Sequence, residues 1–236
     1  MTSAGYAVVP PPDLPVGNHR SLTDRLGCSH TSVEVYRTGP GESVDLPAES
    51  EQLCVPLSGD VTVDAEHVES PSPLVHAPAG TVAAIGSGAA TAWLVVGAPV
   101  DDAPGGPTVT VDVGELAFEE PSTSDVATAR LTGRLGLRGM KANVRRLEPG
   151  QAVPYHTEGT QEELFVPLDG AGVLRVDGGG HPVERGSVSR VAPSVPRAAV
   201  NVGDRPVHWL MVGAPPTDAP DEWDPGAEIH EWPGSE

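Results

Sequence analysis

Apolar residues in this chain recur at every second position over short stretches and then stop. Val33-Glu34-Val35-Tyr36, Val61-Thr62-Val63 and Val173-Leu174-Arg175-Val176 all show it. That is the period of a strand that buries one face. Turn-forming clusters separate the stretches, among them Pro78-Ala79-Gly80, Asp177-Gly178-Gly179-Gly180 and Gly203-Asp204-Arg205-Pro206. Many short strands at regular spacing predict an all-β barrel or sandwich with helix confined to short turns. Aromatic residues are only 4% of the chain, so Val, Leu and Ala must fill the cores.

The pattern occurs twice. LTDRLG at 22–27 returns as LTGRLG at 131–136, and Pro40-Gly41 as Pro149-Gly150, both offset by 109 residues. LCVPLSG at 53–59 returns as LFVPLDG at 164–170, and WLVVGAP at 93–99 as WLMVGAP at 209–215, with the offset growing from 111 to 116. An ordered repeat of this period predicts two copies of one domain, the second with small insertions in its turns. The expected division is an extended arm at 1–20, a first barrel at 21–100, a linker at 101–124, a second barrel at 125–216 and an acidic tail at 217–236. Within the linker, Thr108–Val113 is a candidate edge strand, and Trp223 and Trp232 suggest a tail that docks on the body.

Ligand-type side chains cluster in one stretch, GQAVPYHTEGTQEELFVPLDG at 150–170. In a strand, His156 and Glu158 share a face, and after the break at Gly159-Thr160 a second strand starts with Glu163. One imidazole and two carboxylates suit a divalent transition metal, Mn, Fe, Ni or Zn. Gly150, His156, Glu158, Glu163 and Gly170 are spaced as in the first cupin motif, with Glu158 in place of the second histidine. Pro193 to Asn201 resembles the second motif one residue short, with Arg197 where the last histidine is expected. The resemblance implies two antiparallel jelly-roll barrels and a metal or ligand site in the second. A guanidinium has no lone pair for a metal. Either Arg197 points inward, pairs with Glu158 or Glu163 and occupies the space a cation would fill, or it turns outward to rim the mouth and Ala198 takes the ligand position. Metal occupancy depends on which, and in either case the fourth protein ligand is absent. In the first copy, Gln52 aligns with Glu163, Ala83 with Arg197, and no imidazole remains among Val44-Asp45-Leu46-Pro47.

Net charge is −19, with 33 acidic and 14 basic residues and Lys141 the single lysine. Nucleic acid and anionic membrane are poor partners for such a surface. A small-molecule ligand is expected, with the protein a monomer or homodimer. Cys28 and Cys54 are too few for a disulfide scaffold, and the chain lacks a secretory pattern and any apolar run near about 20 residues, so a cytoplasmic protein is expected. Two functions stay open: a ligand-binding module, and a metal-dependent enzyme of dioxygenase or isomerase type acting on a small oxygenated substrate. The acidic, lysine-poor composition also suggests a halophilic source, against the alternative of an ordinary acidic protein. Molar salt screens carboxylate repulsion, so thermal melts are expected to rise between low and molar salt, and flat melts would remove the halophile reading.

Overall fold

The computed structural model describes residues 5–58, 61–68, 72–103, 105–120, 124–217, 224 and 226–233. Among these residues the strands form two matched pairs of antiparallel sheets. One large sheet runs Val109–Asp112, Pro73–Ala77, Ser50–Pro56, Thr91–Pro99, Ser32–Thr38, Asn18–Ser21. The other runs Tyr6–Val9, Val188–Val191, Glu162–Pro167, Val207–Ala214, Lys141–Leu147, Ala127–Arg130. The small sheets are Ser43–Asp45, Ala84–Gly86, Val61–Val63, Glu66–Val68 and Glu228–Ile229, His156–Thr157, Arg197–Val200, Gly172–Val176, Gly179–Val183. The chain thus folds as two antiparallel jelly-roll barrels related by internal duplication. The duplication is visible in the strand orders, which repeat element for element apart from Glu228–Ile229. Helix is confined to single turns at Thr23–Leu26 and Thr132–Leu135 and a 3₁₀ turn at Val113–Glu115.

The repeated LT-x-RLG signature is what makes those two turns. Each helix stops at a glycine in the left-handed region, Gly27 at φ 70° and Gly136 at φ 72°. A side chain there would be strained, so the glycine ends the helix and redirects the chain. The tight turn Asp177-Gly178, both with positive φ, likewise joins Gly172–Val176 to Gly179–Val183 in the geometry that suits twisted strands.

Each barrel borrows a strand from the segment that leads into the other. Tyr6–Val9 precedes the first barrel yet pairs with Val188–Val191 of the second, and Val109–Asp112 precedes the second yet pairs with Pro73–Ala77 of the first. Three apolar clusters follow from this layout. Leu46, Cys54, Ile85 and Trp93 fill the first barrel, while Phe165, Leu174, Trp209 and Met211 pack in the second. The third joins the two halves through Leu53, Val55, Leu94 and Val96 on one side and Leu164, Val166, Leu210 and Val212 on the other. The outward face of each large sheet is therefore as apolar as its inward face, which is why Leu53–Val55 and Leu164–Val166 read as continuous apolar runs.

Two buried glutamates lock the halves together. Glu162 accepts hydrogen bonds from the backbone N–H groups of Ser29, His30 and Thr31 at 2.8, 2.8 and 3.0 Å, and from Arg190 Nε and Nη2 at 3.0 and 2.9 Å. Its counterpart Glu51 accepts from Arg138, Gly139 and Met140 N–H at 2.9, 2.8 and 3.0 Å. His76 Nε2 lies 3.5 Å from Glu51 where the second barrel has Arg190. Each carboxylate thus caps the loop that follows the single helical turn of the other repeat. Hydrogen bonds to an ionised acceptor are roughly twice as strong as neutral ones.

Burial raises the Glu162 carboxyl, but the amides of Ser29 and His30 and the Arg190 guanidinium outweigh it and hold the group below its ordinary 4.5. Its contribution is therefore complete above pH 4.5 and is lost as pH falls through the lower folded value. Glu162→Ala also strands the Arg190 guanidinium, so it is expected to destabilise by about 3–5 kcal/mol. Glu51→Ala leaves the N–H groups of Arg138, Gly139 and Met140 without their acceptor, and is expected to cost about 2–3 kcal/mol. Urea denaturation at several pH values checks both: the Glu162→Ala variant should also lose part of the acid dependence below 4.5.

Candidate functional site

The strand His156–Thr157 pairs with Arg197–Val200, placing His156 directly opposite Arg197. Both side chains are buried, and Arg197 is 0% exposed. Glu158 follows at the strand end, where its N–H donates to Pro193 O at 2.9 Å, and Glu163 enters from the facing large sheet. The four residues singled out in the sequence therefore meet inside the second barrel. His156 Nε2 lies 3.4 Å from Glu158 Oε1 and 3.5 Å from Glu163 Oε2. Of the two orientations open to Arg197, the inward one is found: its Nε donates to Glu163 Oε2 at 2.9 Å. Its Nη1 donates to Pro193 O at 2.7 Å and to Val195 O at 3.1 Å. Ala198 packs in the barrel's apolar cluster.

Hydrogen bonding fixes the imidazole. A carbonyl can only accept, so the 2.7 Å contact between His156 Nδ1 and Pro154 O places a proton on Nδ1 and aims Nε2 at the two carboxylates. Two atoms of the cluster are buried with no hydrogen-bond partner among the described residues, Glu158 Oε2 and Arg197 Nη2. Burial alone raises the Glu163 carboxyl, but Arg197 and His156 beside it reverse the shift and hold it at about 2. Burial lowers the His156 pKa, and Glu158 and Glu163 more than offset it, so the net direction is upward.

Other residues reach this interior that the spacing of ligand-type residues does not reveal. In Lys141–Leu147, Ala142 and Val144 face the joint between barrels while Leu147 packs in the second barrel's core. By alternation Lys141, Asn143 and Arg145 share the inward face with Leu147. Burial lowers the Arg145 pKa, opposed by the charges of Glu163 and Glu158. In the first barrel the aligned positions differ. Gln52 Nε2 donates to Ser50 Oγ at 2.7 Å, and the strand registers put Ile85, two residues past the Ala83 expected from the sequence, at the place of Arg197. Val63 pairs with Ile85 as Val176 pairs with Arg197, and Ile85 packs with Leu46, Cys54 and Trp93. Among the described residues the one group of three or more metal-ligating side chains is His156, Glu158 and Glu163, whose ligand atoms lie within 4.8 Å of one another.

The remaining histidines stand apart from this cluster. Trp209 is the inward member of the closing strand, at 0% exposure, while His208 turns to Asp169 with Nδ1 to Oδ2 at 2.6 Å. His230 is the exception, since it reaches Thr157 Oγ1 at 3.0 Å. Burial pushes the Cys28 thiol up to about 11 and that of Cys54 up as well, so both behave as small apolar groups. Trp223 lies outside the described residues. No helix among the described residues is long and apolar enough to cross a membrane.

The donor set fits a divalent metal. The imidazole–carboxylate separations of 3.4 and 3.5 Å are wide for hydrogen bonds, and one imidazole with two carboxylates is a donor set that suits a divalent transition metal. The partnerless Glu158 Oε2 is a further buried donor atom of the same cluster.

Residues 143–213 match the family described as Cupin domain. No match is found among curated proteins. Solved structures resemble nearly the whole chain. A Pseudomonas aeruginosa protein described as glyoxylate-induced is 17% identical over 90% of this chain and 88% of its own, with a TM-score of 0.71. Oxalate decarboxylase from Lactobacillus farciminis, solved as a formate complex, is 14% identical over 97% and 89%, with a TM-score of 0.68. An IolB-like protein from Salmonella typhimurium is 16% identical over 97% of both chains, with a TM-score of 0.66. At these identities the likeness is one of fold. The family match covers residues 143–213, within the second barrel, and the rest of the likeness is one of fold.

Proposed function

We propose that the second barrel, at about residues 125–216, binds a small anionic ligand, a carboxylate, through a divalent transition metal held by His156, Glu158 and Glu163. The observation that carries this reading is the pair of buried, partnerless atoms in one cluster, the acceptor Glu158 Oε2 and the donor Arg197 Nη2. A buried polar atom left unpaired costs about 1–3 kcal/mol, so the pair marks a place where something else binds. A metal serves the first atom and a ligand oxygen the second.

Charge selects the class of ligand. Glu158 and Glu163 carry two negative charges and Arg197 one positive, so a divalent ion beside a neutral His156 leaves the cluster cationic. Arg145, on the inward face of the neighbouring strand, lies within reach of the charges of Glu163 and Glu158, in a chain whose net charge is −19. Such a pocket attracts an anion and disfavours a neutral molecule of the same shape. When bound, a metal of this kind polarises a ligand oxygen as a Lewis acid, and the three protein donors leave coordination positions open to that oxygen. Arg197 orients the anion, while its carbonyl contacts at 2.7 and 3.1 Å keep the guanidinium fixed. The first barrel, with Gln52 and Ile85 at the corresponding positions, serves as the packing partner of the second.

A metal-free arrangement has one observation in its favour. The raised pKa of His156 allows a charged imidazole and Arg197 to balance the two carboxylates without an ion. The proton and the metal therefore compete for Nε2, and metal affinity is expected to fall as pH drops through the raised His156 value. Elemental analysis after loading and desalting is expected to give one metal per chain, lost in His156→Ala. Calorimetry on the loaded protein is expected to show binding of glycolate or acetate and at least tenfold weaker binding of acetamide. Absence of metal together with no preference for the carboxylate would overturn the reading.

A further inference from the structure

Among the described residues the second barrel carries one strand with no counterpart in the first, Glu228–Ile229. Glu228–Ile229 pairs with His156–Thr157, with Ile229 opposite His156 and Glu228 opposite Thr157. His156 is thus held between Arg197 on one side and this strand on the other. The corresponding strand of the first barrel, Ser43–Asp45, is an edge strand in the sheet of described residues. The addition therefore falls on the barrel that carries the ligand cluster.

Upstream of that strand, Asp224 is buried at 5% exposure with its carboxylate turned to the loop that joins Glu158 to Glu163. Its Oδ2 accepts from Thr160 N–H at 2.7 Å, Thr160 Oγ1 at 3.1 Å and Gln161 N–H at 3.1 Å, and its Oδ1 accepts from Gly226 N–H at 3.2 Å. The two backbones close on each other beside it. A Cβ built on Gly159 would sit 2.7 Å from Gly226 Cα, so the approach is open only to glycine. Downstream, His230 N–H donates to Tyr155 O at 2.7 Å, and Trp232 meets the Tyr155 ring edge-on at 4.9 Å beneath the Arg175 guanidinium.

We propose that Asp224 and residues 226–230 form a strap that completes the second-barrel site, and that Asp224 is its positioning residue, setting Glu158 against Glu163 by fixing the Gly159–Gln161 loop. The mechanism is local. Glu158 and Glu163 lie on opposite sides of a four-residue connection, so the conformation of that connection sets the separation of the two carboxylates. In solution the Thr160 and Gln161 amides would be satisfied by water in many loop conformations, whereas one carboxylate accepting from both selects a single conformation. Preorganisation of this kind matters most for a bound ion, because donor atoms misplaced by a few tenths of an ångström weaken the site.

The inference rests on the proposed metal and ligand reading, and the test separates the two. Cobalt(II) titrations followed by visible absorption, with thermal melts, are compared for the full chain, Asp224→Ala, Asp224→Asn and Trp232→Ala. Nitrogen chemical shifts of the His156 ring are recorded for the same proteins without metal. Asp224→Ala is expected to weaken cobalt binding at least tenfold, to change the visible spectrum and to move the His156 shifts. Asp224→Asn keeps an acceptor oxygen and is expected to restore most of the affinity. Trp232→Ala removes a peg remote from the loop, and is expected to lower the melting temperature while leaving affinity and spectrum unchanged. Asp224→Ala that lowers stability alone, with cobalt affinity, spectrum and His156 shifts all as in the parent, would overturn the proposal. If the parent binds no cobalt, the metal reading fails, and the His156 shifts decide the positioning role: movement in Asp224→Ala but not in Trp232→Ala supports it, and no movement overturns it.

Discussion

Charge placed inside a β-barrel has to be neutralised where it stands, and this constraint shapes the second half of the molecule. Desolvating a carboxylate costs several kcal/mol unless a counter-charge and hydrogen bonds accompany it. Glu163 meets the demand through Arg197 Nε at 2.9 Å, which keeps its carboxyl at about 2 despite burial. Arg197 in turn is anchored by the carbonyls of Pro193 and Val195. Glu158 Oε2 is left over, and so is one nitrogen of Arg197. The cluster is balanced at all but these two atoms, the places the proposed function gives to a cation and an anion, and this imbalance separates the second barrel from the apolar first.

The same physics joins the barrels. Glu51 and Glu162 sit at equivalent places in the repeat, each turned away from its own barrel and saturated by three backbone amides of the other. With the exchanged strands Tyr6–Val9 and Val109–Asp112, they make each half depend on the other. The placement has a consequence for the site. Glu162 and Glu163 are adjacent and point to opposite faces, so the latch that fixes the first also fixes the backbone from which the second projects into the cluster.

The fold was legible because its signals are local and repeated. Alternation marked the strands, the LT-x-RLG signature marked both helical turns, and the 109-residue offset announced the second copy. The approach of His156, Glu158, Glu163 and Arg197 to one point was also legible, since strand alternation and motif spacing determine it. Whether Arg197 turned inward was not, because either orientation suits a residue at that register. Glu162 and Glu51 escaped notice for a different reason. Each looks like one more charge on a strand, and its partners are backbone amides, which no side-chain pattern reveals. Asp224 lies more than sixty residues from the loop it fixes, in a stretch whose composition reads only as acidic and proline-rich. The strand Lys141–Leu147 conceals its inward cations in the same way, since a basic residue alternating with apolar ones normally marks a solvated face.

Anomalous diffraction from crystals grown with manganese or zinc tests the charge argument most directly. The arrangement described above requires one peak in the second barrel, within bonding distance of His156 Nε2, Glu158 and Glu163, with Arg197 still donating to Glu163. A peak accompanied by Arg197 swung out of the barrel, or no peak at that cluster at saturating metal, would contradict it.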